Sequence, residues 1–177
     1  MAHNFASTLV DLLKSRGETV SFCESLTAGL AAATLADVPG ASVVLKGGLV
    51  TYATELKTSL AGVSPVLIDA HSVISPQCAE AMAAGAARRC NSDWAVSLTG
   101  VAGPSKQDGH EVGEVWIGIA HQGAADDSQT GTFVAFRAFE SEQQVILAAL
   151  KEDQRRTIRE LAVQRSFQLL IEYIEST

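Results

Sequence analysis

Ser21–Gly40 reads SFCESLTAGLAAATLADVPG. A short β-prone run, Thr19 to Cys23, passes through Glu24-Ser25-Leu26-Thr27-Ala28-Gly29 into an alanine- and leucine-rich helix, Leu26 to Ala36. Asp37-Val38-Pro39-Gly40 then stops the helix and turns the chain. Strand, short loop and helix in that order are the unit of an α/β fold. Ser25 has two readings at this junction: the cap of the helix, or a nucleophile held at the end of a strand.

The rest of the chain continues the alternation. Phe5, Leu9, Leu12 and Leu13 recur at helical spacing, so Asn4 to Arg16 reads as an amphipathic helix closed by Gly17. Val43 to Tyr52 is β-rich, with Gly47-Gly48 marking a bulge or close backbone approach, and Thr54 to Leu60 is a short helix. Ser75-Pro76 has the form of an N-cap followed by an N1 proline, opening a helix to about Cys90. Trp94 to Leu98, Glu114 to Ala120 and Phe133 to Phe139 read as strands, with a glycine-containing loop from Thr99 to Gly113. Helical sequence fills Ser141 to Glu175, with a break near Glu152-Asp153. The expectation is one α/β domain over residues 1–177, helices covering both faces of a mixed sheet, and a long C-terminal helical region, 141–175.

Composition narrows the function. With 177 residues, 47% hydrophobic and 19% charged, the chain can bury a substantial core. A net charge of −7 argues against general binding to a nucleic-acid backbone. Basic residues gather in Lys151 to Arg165, but Glu152, Asp153 and Glu160 interrupt them, as on a solvated helix face. No apolar run is long enough to span a bilayer, and Met1 to Gly17 does not have the form of a signal peptide. Cys23, Cys78 and Cys90 show no C-x-x-C spacing, and the four histidines show no metal-binding spacing. The expectations are a cytoplasmic protein with a small-molecule partner, no nucleic acid, no membrane, no metal and no cofactor.

Ligands of open α/β sheets sit beyond the carboxyl ends of the strands. Three loops fit: Glu24 to Gly29, Thr51 to Lys57, and Thr99 to Gly113. They carry Ser25 and Thr27, Tyr52 and Lys57, and Thr99 with Gly100 and Gly103. A serine needs a base, and a lysine shielded from water can serve as one. The same residues have plainer readings: helix caps, a surface charge, a half-buried aromatic and a tight turn. Cys23 is a rival nucleophile, but inside an apolar strand a cysteine is ordinarily inert packing.

At these residues the chain resembles the CinA C-terminal domain family, whose single-domain members include nicotinamide mononucleotide (NMN) deamidases. The family run A-E-S-C-T-G-G is similar to Cys23-Glu24-Ser25-Leu26-Thr27-Ala28-Gly29, and D-x-x-G-S-S to Asp37-Val38-Pro39-Gly40-Ala41-Ser42. G-x-V-T-Y-x-x-x-x-K matches Gly48 to Tyr52 with Lys57, T-G-I-A-G-P matches Thr99 to Pro104, and V-G-T-V-W matches Val112 to Trp116. The resemblance implies a three-layer α/β/α sandwich with a mixed, mostly parallel sheet. It also implies hydrolysis of the NMN carboxamide to nicotinic acid mononucleotide and ammonia, with Ser25 as nucleophile and Lys57 as base. Tyr52 and Thr99 match pocket positions, and the implied substrate-binding set is Glu24, Thr27, Gly48, Gly100, Gly103 and Arg155. Arg155 comes from matching G-D-R-x-x-V-R-x-x-A to Asp153 to Ala162, which leaves Phe139 to Lys151 as an apparent insertion; Arg137 is the competing phosphate partner. Family members commonly form homo-oligomers, and Ile158, Leu161, Leu169 and Leu170 offer apolar positions for packing on a neighbour.

The chain departs from the family pattern at Leu26 and Ala28 in the serine loop, and at Glu111 and Glu114 beside the glycine loop. A carboxylate near a phosphate is unfavourable unless a cation such as Lys106 offsets it. The alternatives are therefore a catalytically impaired paralogue that binds a nucleotide-like ligand or a protein partner, or an amidohydrolase of a related carboxamide.

Overall fold

A computed structural model of the chain describes residues 2–123, 131–139 and 153–177. The elements are α1 (Ala2–Arg16), β1 (Val20–Glu24), α2 (Leu30–Ala36), β2 (Leu45–Val50), α3 (Thr54–Ser59), α4 (Pro65–His71), α5 (Pro76–Cys90), β3 (Trp94–Gly100), β4 (Val115–His121), β5 (Thr132–Arg137) and α6 (Gln154–Ser176). The part of the expected C-terminal helical region at 141–152 lies outside the described residues.

The strands form one sheet in the order β2-β1-β3-β4-β5. β1 pairs in parallel with β2 and β3, whereas β4 pairs antiparallel with β3 and β5, so β4 alone runs against the other four. The register of β1 against β2 slips beside Lys46, where Val20 faces Leu45 but Ser21 faces Gly47. That slip is the bulge the adjacent glycines imply.

Helices cover both faces, with unlike packing on each. On one face α1, α2 and α6 bury Leu9, Leu13, Leu35, Ile158, Phe167 and Leu170 against Phe22, Val96, Leu98, Ile117 and Ile119. The other face belongs mainly to α5, which packs Met82 and the small Ala83, Ala86 and Ala87 with Cys23, Ala95 and Ala120 of the sheet. Backbones approach closely there. A Cβ on Gly118 would fall 2.3 Å from the Ala79 carbonyl oxygen, and one on Gly85 would fall 1.9 Å from that of Ala61. Ser97 Oγ donates to the Ala79 carbonyl at 2.6 Å, pinning α5 to β3. As its Ser-Pro opening predicts, Ser75 Oγ accepts the Cys78 N–H at 3.1 Å.

Three points differ from expectation. The helix expected from Leu26 begins one turn later, at Leu30, because Ala28 (φ 52°) and Gly29 (φ 94°) turn the chain through the left-handed region first. Helix α4 was not anticipated; its signal is Ser64-Pro65, the same cap-proline pair that opens α5. The apolar positions proposed for a neighbour are used within the chain, since Ile158, Leu169 and Leu170 are buried in its core and Leu161 packs against it.

Candidate active site

Because β1, β2 and β3 are parallel, their carboxyl ends open on the same edge of the sheet. Backbone pairing continues past the end of β1 on both sides: the Ser25 N–H donates to Leu98 at 2.9 Å, and the Thr51 N–H donates to Glu24 at 2.8 Å. Ser25 is thus held between the two neighbouring strands, half-buried, at the mouth of a cavity lined by Leu26, Tyr52, Lys57, Thr99, Gly103 and Arg155 among others.

Lys57, on α3, is only 2% exposed. Its Nζ donates to Ser25 Oγ at 3.0 Å and to the Thr51 carbonyl at 2.8 Å. Burial holds its ammonium below the ordinary value of 10.5; Cys78, Cys23 and Glu55 oppose the shift without cancelling it. Loss of the proton leaves a neutral amine in hydrogen-bond reach of a hydroxyl, which is the pairing of a base with a nucleophile. Cys23 is fully buried, and desolvation pushes its thiol up to about 12; burial likewise pushes Cys78 to about 11. Both thiols stay protonated at neutral pH, which removes Cys23 as the rival nucleophile.

The other wall belongs to the end of β3 and the loop after it. Thr99 is buried at the cavity and its Oγ1 donates to the Val73 carbonyl at 2.7 Å. Gly100 has no room for a side chain, since a Cβ would meet the Glu114 carbonyl oxygen at 2.3 Å. Gly103 is left-handed (φ 90°) and precedes a cis peptide to Pro104. Arg155 reaches over from α6, donating to the Gly103 carbonyl and, at 2.6 Å, to Tyr52 Oη. Arg137 lies elsewhere: its guanidinium sits over the Trp116 ring and 3.7 Å from Glu114. Of the two arginines, Arg155 is the one at the cavity.

The acidic departures are both paired. Glu111 meets Lys106, and the Glu114 carboxylate meets Arg137, His110 Nδ1 at 3.1 Å and the Trp116 indole N–H at 3.2 Å. His110 Nε2 lies 3.2 Å from Ser72 Oγ, which also accepts the Ile74 N–H. This chain ties the glycine loop to the turn before α5.

Three expected site residues are placed away from the cavity. The Glu24 carboxylate, 1% exposed, accepts the N–H groups of Gly29, Ala31 and Ala32 at 2.9–3.0 Å. It caps α2, the role that spacing had offered to Ser25 or Thr27. Thr27 is fully buried, and its Oγ1 has no hydrogen-bond partner among the described residues. Gly48 lies in β2 beneath α2, where a Cβ would touch that of Ala32 at 3.4 Å. One residue without an expected role reaches the serine turn. Arg159 donates from Nε to the Leu26 carbonyl at 2.9 Å and from Nη2 to the Thr27 carbonyl at 2.8 Å. Its signal is the four-residue spacing from Arg155, which puts both on one helix face.

No group of three or more His, Cys, Asp or Glu that could hold a metal occurs among the described residues. No helix among them is long and apolar enough to cross a membrane.

Residues 2–151 match the family profile of the CinA C-terminal domain. A competence-damage inducible protein of Streptococcus thermophilus is 47% identical over 119 residues, 67% of this chain and 28% of that protein. Another, from Limosilactobacillus fermentum, is 41% identical over 155 residues, 84% of this chain and 37% of that protein. The chain thus spans 28% to 37% of the length of these relatives. Among solved structures, the competence/damage inducible protein CihA of Agrobacterium tumefaciens superposes with a TM-score of 0.79 at 26% identity, over 97% of this chain and 94% of that one. A CinA superfamily protein of Escherichia coli shares the fold, with a TM-score of 0.77 at 24% identity over 98% and 90% of the two chains.

Proposed function

This chain belongs to the CinA C-terminal domain family, and from that premise we propose that it hydrolyses the carboxamide of nicotinamide mononucleotide to nicotinic acid mononucleotide and ammonia. The observation that carries the reading is the pair Ser25 and Lys57, 3.0 Å apart with the lysine buried. Neutral Lys57 takes the Ser25 proton as Oγ attacks the carboxamide carbon, and the carbonyl π electrons move onto oxygen. The tetrahedral intermediate collapses with cleavage of the C–N bond, the leaving nitrogen taking the proton from Lys57 and departing as ammonia. Water activated by the same amine then cleaves the acyl-serine ester.

The phosphate is assigned to Arg155, whose fork matches an anion, with the Gly100 to Gly103 backbone beside it. Tyr52 and Arg155 are hydrogen-bonded in the structure, so phosphate recruits a guanidinium already steered by the phenol. Thr99, with its hydroxyl bound to Val73, shapes the wall. The chemistry requires no metal and no cofactor.

Purified protein incubated with NMN should release ammonia in step with acid formation, and Ser25→Ala should abolish both. Robust turnover by Ser25→Ala removes the nucleophile assignment. Calorimetric binding of NMN without ammonia release supports the non-catalytic alternative instead.

A further inference from the structure

The turn that follows Ser25 is gripped by Arg159. The Nη2 donates to the Thr27 carbonyl, and the Ala28 N–H of that same peptide donates to the Ser25 carbonyl at 3.1 Å. The Ser25 carbonyl in turn shares its peptide plane with the Leu26 N–H. Each plane is rigid, so fixing a carbonyl fixes the direction of the amide on its far side. The Leu26 N–H donates to no acceptor among the described residues, although Leu26 is only 4% exposed. Leu26 also lines the cavity with Ser25 and Lys57. An amide without a protein partner, in a residue that lines the cavity, is free to serve a ligand there. Directly after a nucleophile and beside its cavity, that partner is the oxygen that turns negative as the serine attacks.

We propose that Arg159 is a positioning residue for the hydrolysis, aiming and polarising the Leu26 N–H, through two peptide planes, as a donor to the oxyanion. Its guanidinium carries a permanent charge, charge-assisted hydrogen bonds are stronger than neutral ones, and linked hydrogen bonds polarise one another. The second bond, from Nε to the Leu26 carbonyl, stops the turn from rotating out of this arrangement. The oxyanion exists only after attack, so the contribution falls on the chemical step and not on substrate binding. The inference rests on Ser25 being the nucleophile.

The test compares wild type, Arg159→Met, Arg159→Lys and Arg159→Ala by ammonia release from NMN and by the rate at which a fluorophosphonate labels Ser25. Arg159→Met should lower kcat ~10- to 100-fold with KM changed less than about twofold, and labelling should slow in parallel. Arg159→Lys should retain an intermediate rate. Added guanidinium should restore part of the kcat of Arg159→Ala, while methylammonium does not. A wild-type kcat and labelling rate in Arg159→Met overturn the proposal. So does a loss that merely matches the unfolded fraction seen by circular dichroism and is unmoved by guanidinium. Should Arg159→Met not fold, Arg159→Lys decides, and wild-type rates there overturn the proposal. A wild-type protein that neither deamidates NMN nor labels at Ser25 defeats the nucleophile reading and this inference with it. Wild-type activity with indifferent Arg159 variants defeats this inference alone.

Discussion

Lys57 Nζ stands 3.0 Å from Ser25 Oγ, and the two are brought together by the parallel pairing of β1 with β2, after which α3 folds the lysine back. The lysine has little access to water, so its amine form is within reach at a pH where a surface lysine is fully charged. Replacing it by methionine should lower kcat by about 10²- to 10⁴-fold, the range of a general base, with KM for NMN little changed. Steady-state kinetics on Lys57→Met checks this.

The same burial links stability to pH. Below its folded-state value Lys57 is protonated in both states, and the burial penalty is fully present. Between that value and 10.5 the unfolded chain holds the proton and the folded chain does not, so stability rises with pH. The melting temperature of wild type relative to Lys57→Met should therefore climb as pH is raised toward 10.5. A flat difference across that range refutes the linkage.

Arg155 is assigned to the phosphate, so its loss should depend on whether the substrate has one. Arg155→Met should raise KM for NMN ~10- to 100-fold, the worth of a charge-assisted contact. Activity on nicotinamide riboside, which lacks the phosphate, should change far less. Parallel kinetics on the two substrates separate a phosphate contact from general damage.

Glu24 holds three N–H groups at the start of α2 in a site closed to water. Glu24→Ala leaves all three without their acceptor and should destabilise the fold by about 3 kcal/mol. Urea denaturation measures the loss. Glu24→Gln, which keeps one acceptor oxygen, should lie between the two.

Gly85→Ala tests the close face. Its methyl group would meet the Ala61 carbonyl oxygen at 1.9 Å, a backbone atom that cannot swing aside. Denaturation should show a loss of about 3 kcal/mol or more, whereas Ala81→Gly, at a half-buried position of the same helix, should cost only the helix propensity, about 1 kcal/mol.

Much of this was legible in the chain. Alternation of helix and strand patterns, the Ser75-Pro76 opening and the Gly47-Gly48 irregularity each map onto a feature of the fold. Ser25, the pair Tyr52 and Lys57, Thr99 and Arg155 came from four separate segments, and the structure gathers all five residues at one cavity. Other features turned on conformation that spacing does not carry. Helical periodicity from Leu26 onward hides the left-handed step at Ala28 and Gly29, and with it the delayed start of α2. Glu24 reads as the first residue of the loop after the strand, so its reach over the turn to cap the next helix is visible only once that step is known. Arg159 read as one more charge on a solvated face, because its carbonyl partners lie far away in sequence.

Ser25 is suspended from the middle of the sheet, its own amide hydrogen-bonded to Leu98 of β3 and the preceding carbonyl to Thr51. Its amide hydrogen is therefore expected to exchange with deuterium only when the whole sheet opens, among the slowest in the molecule. The proposed nucleophile then belongs to the last unit to unfold, and partial denaturation should strip away Arg155 and the glycine loop before it disturbs the serine. Loss of substrate affinity should precede loss of the reactive hydroxyl as denaturant is raised.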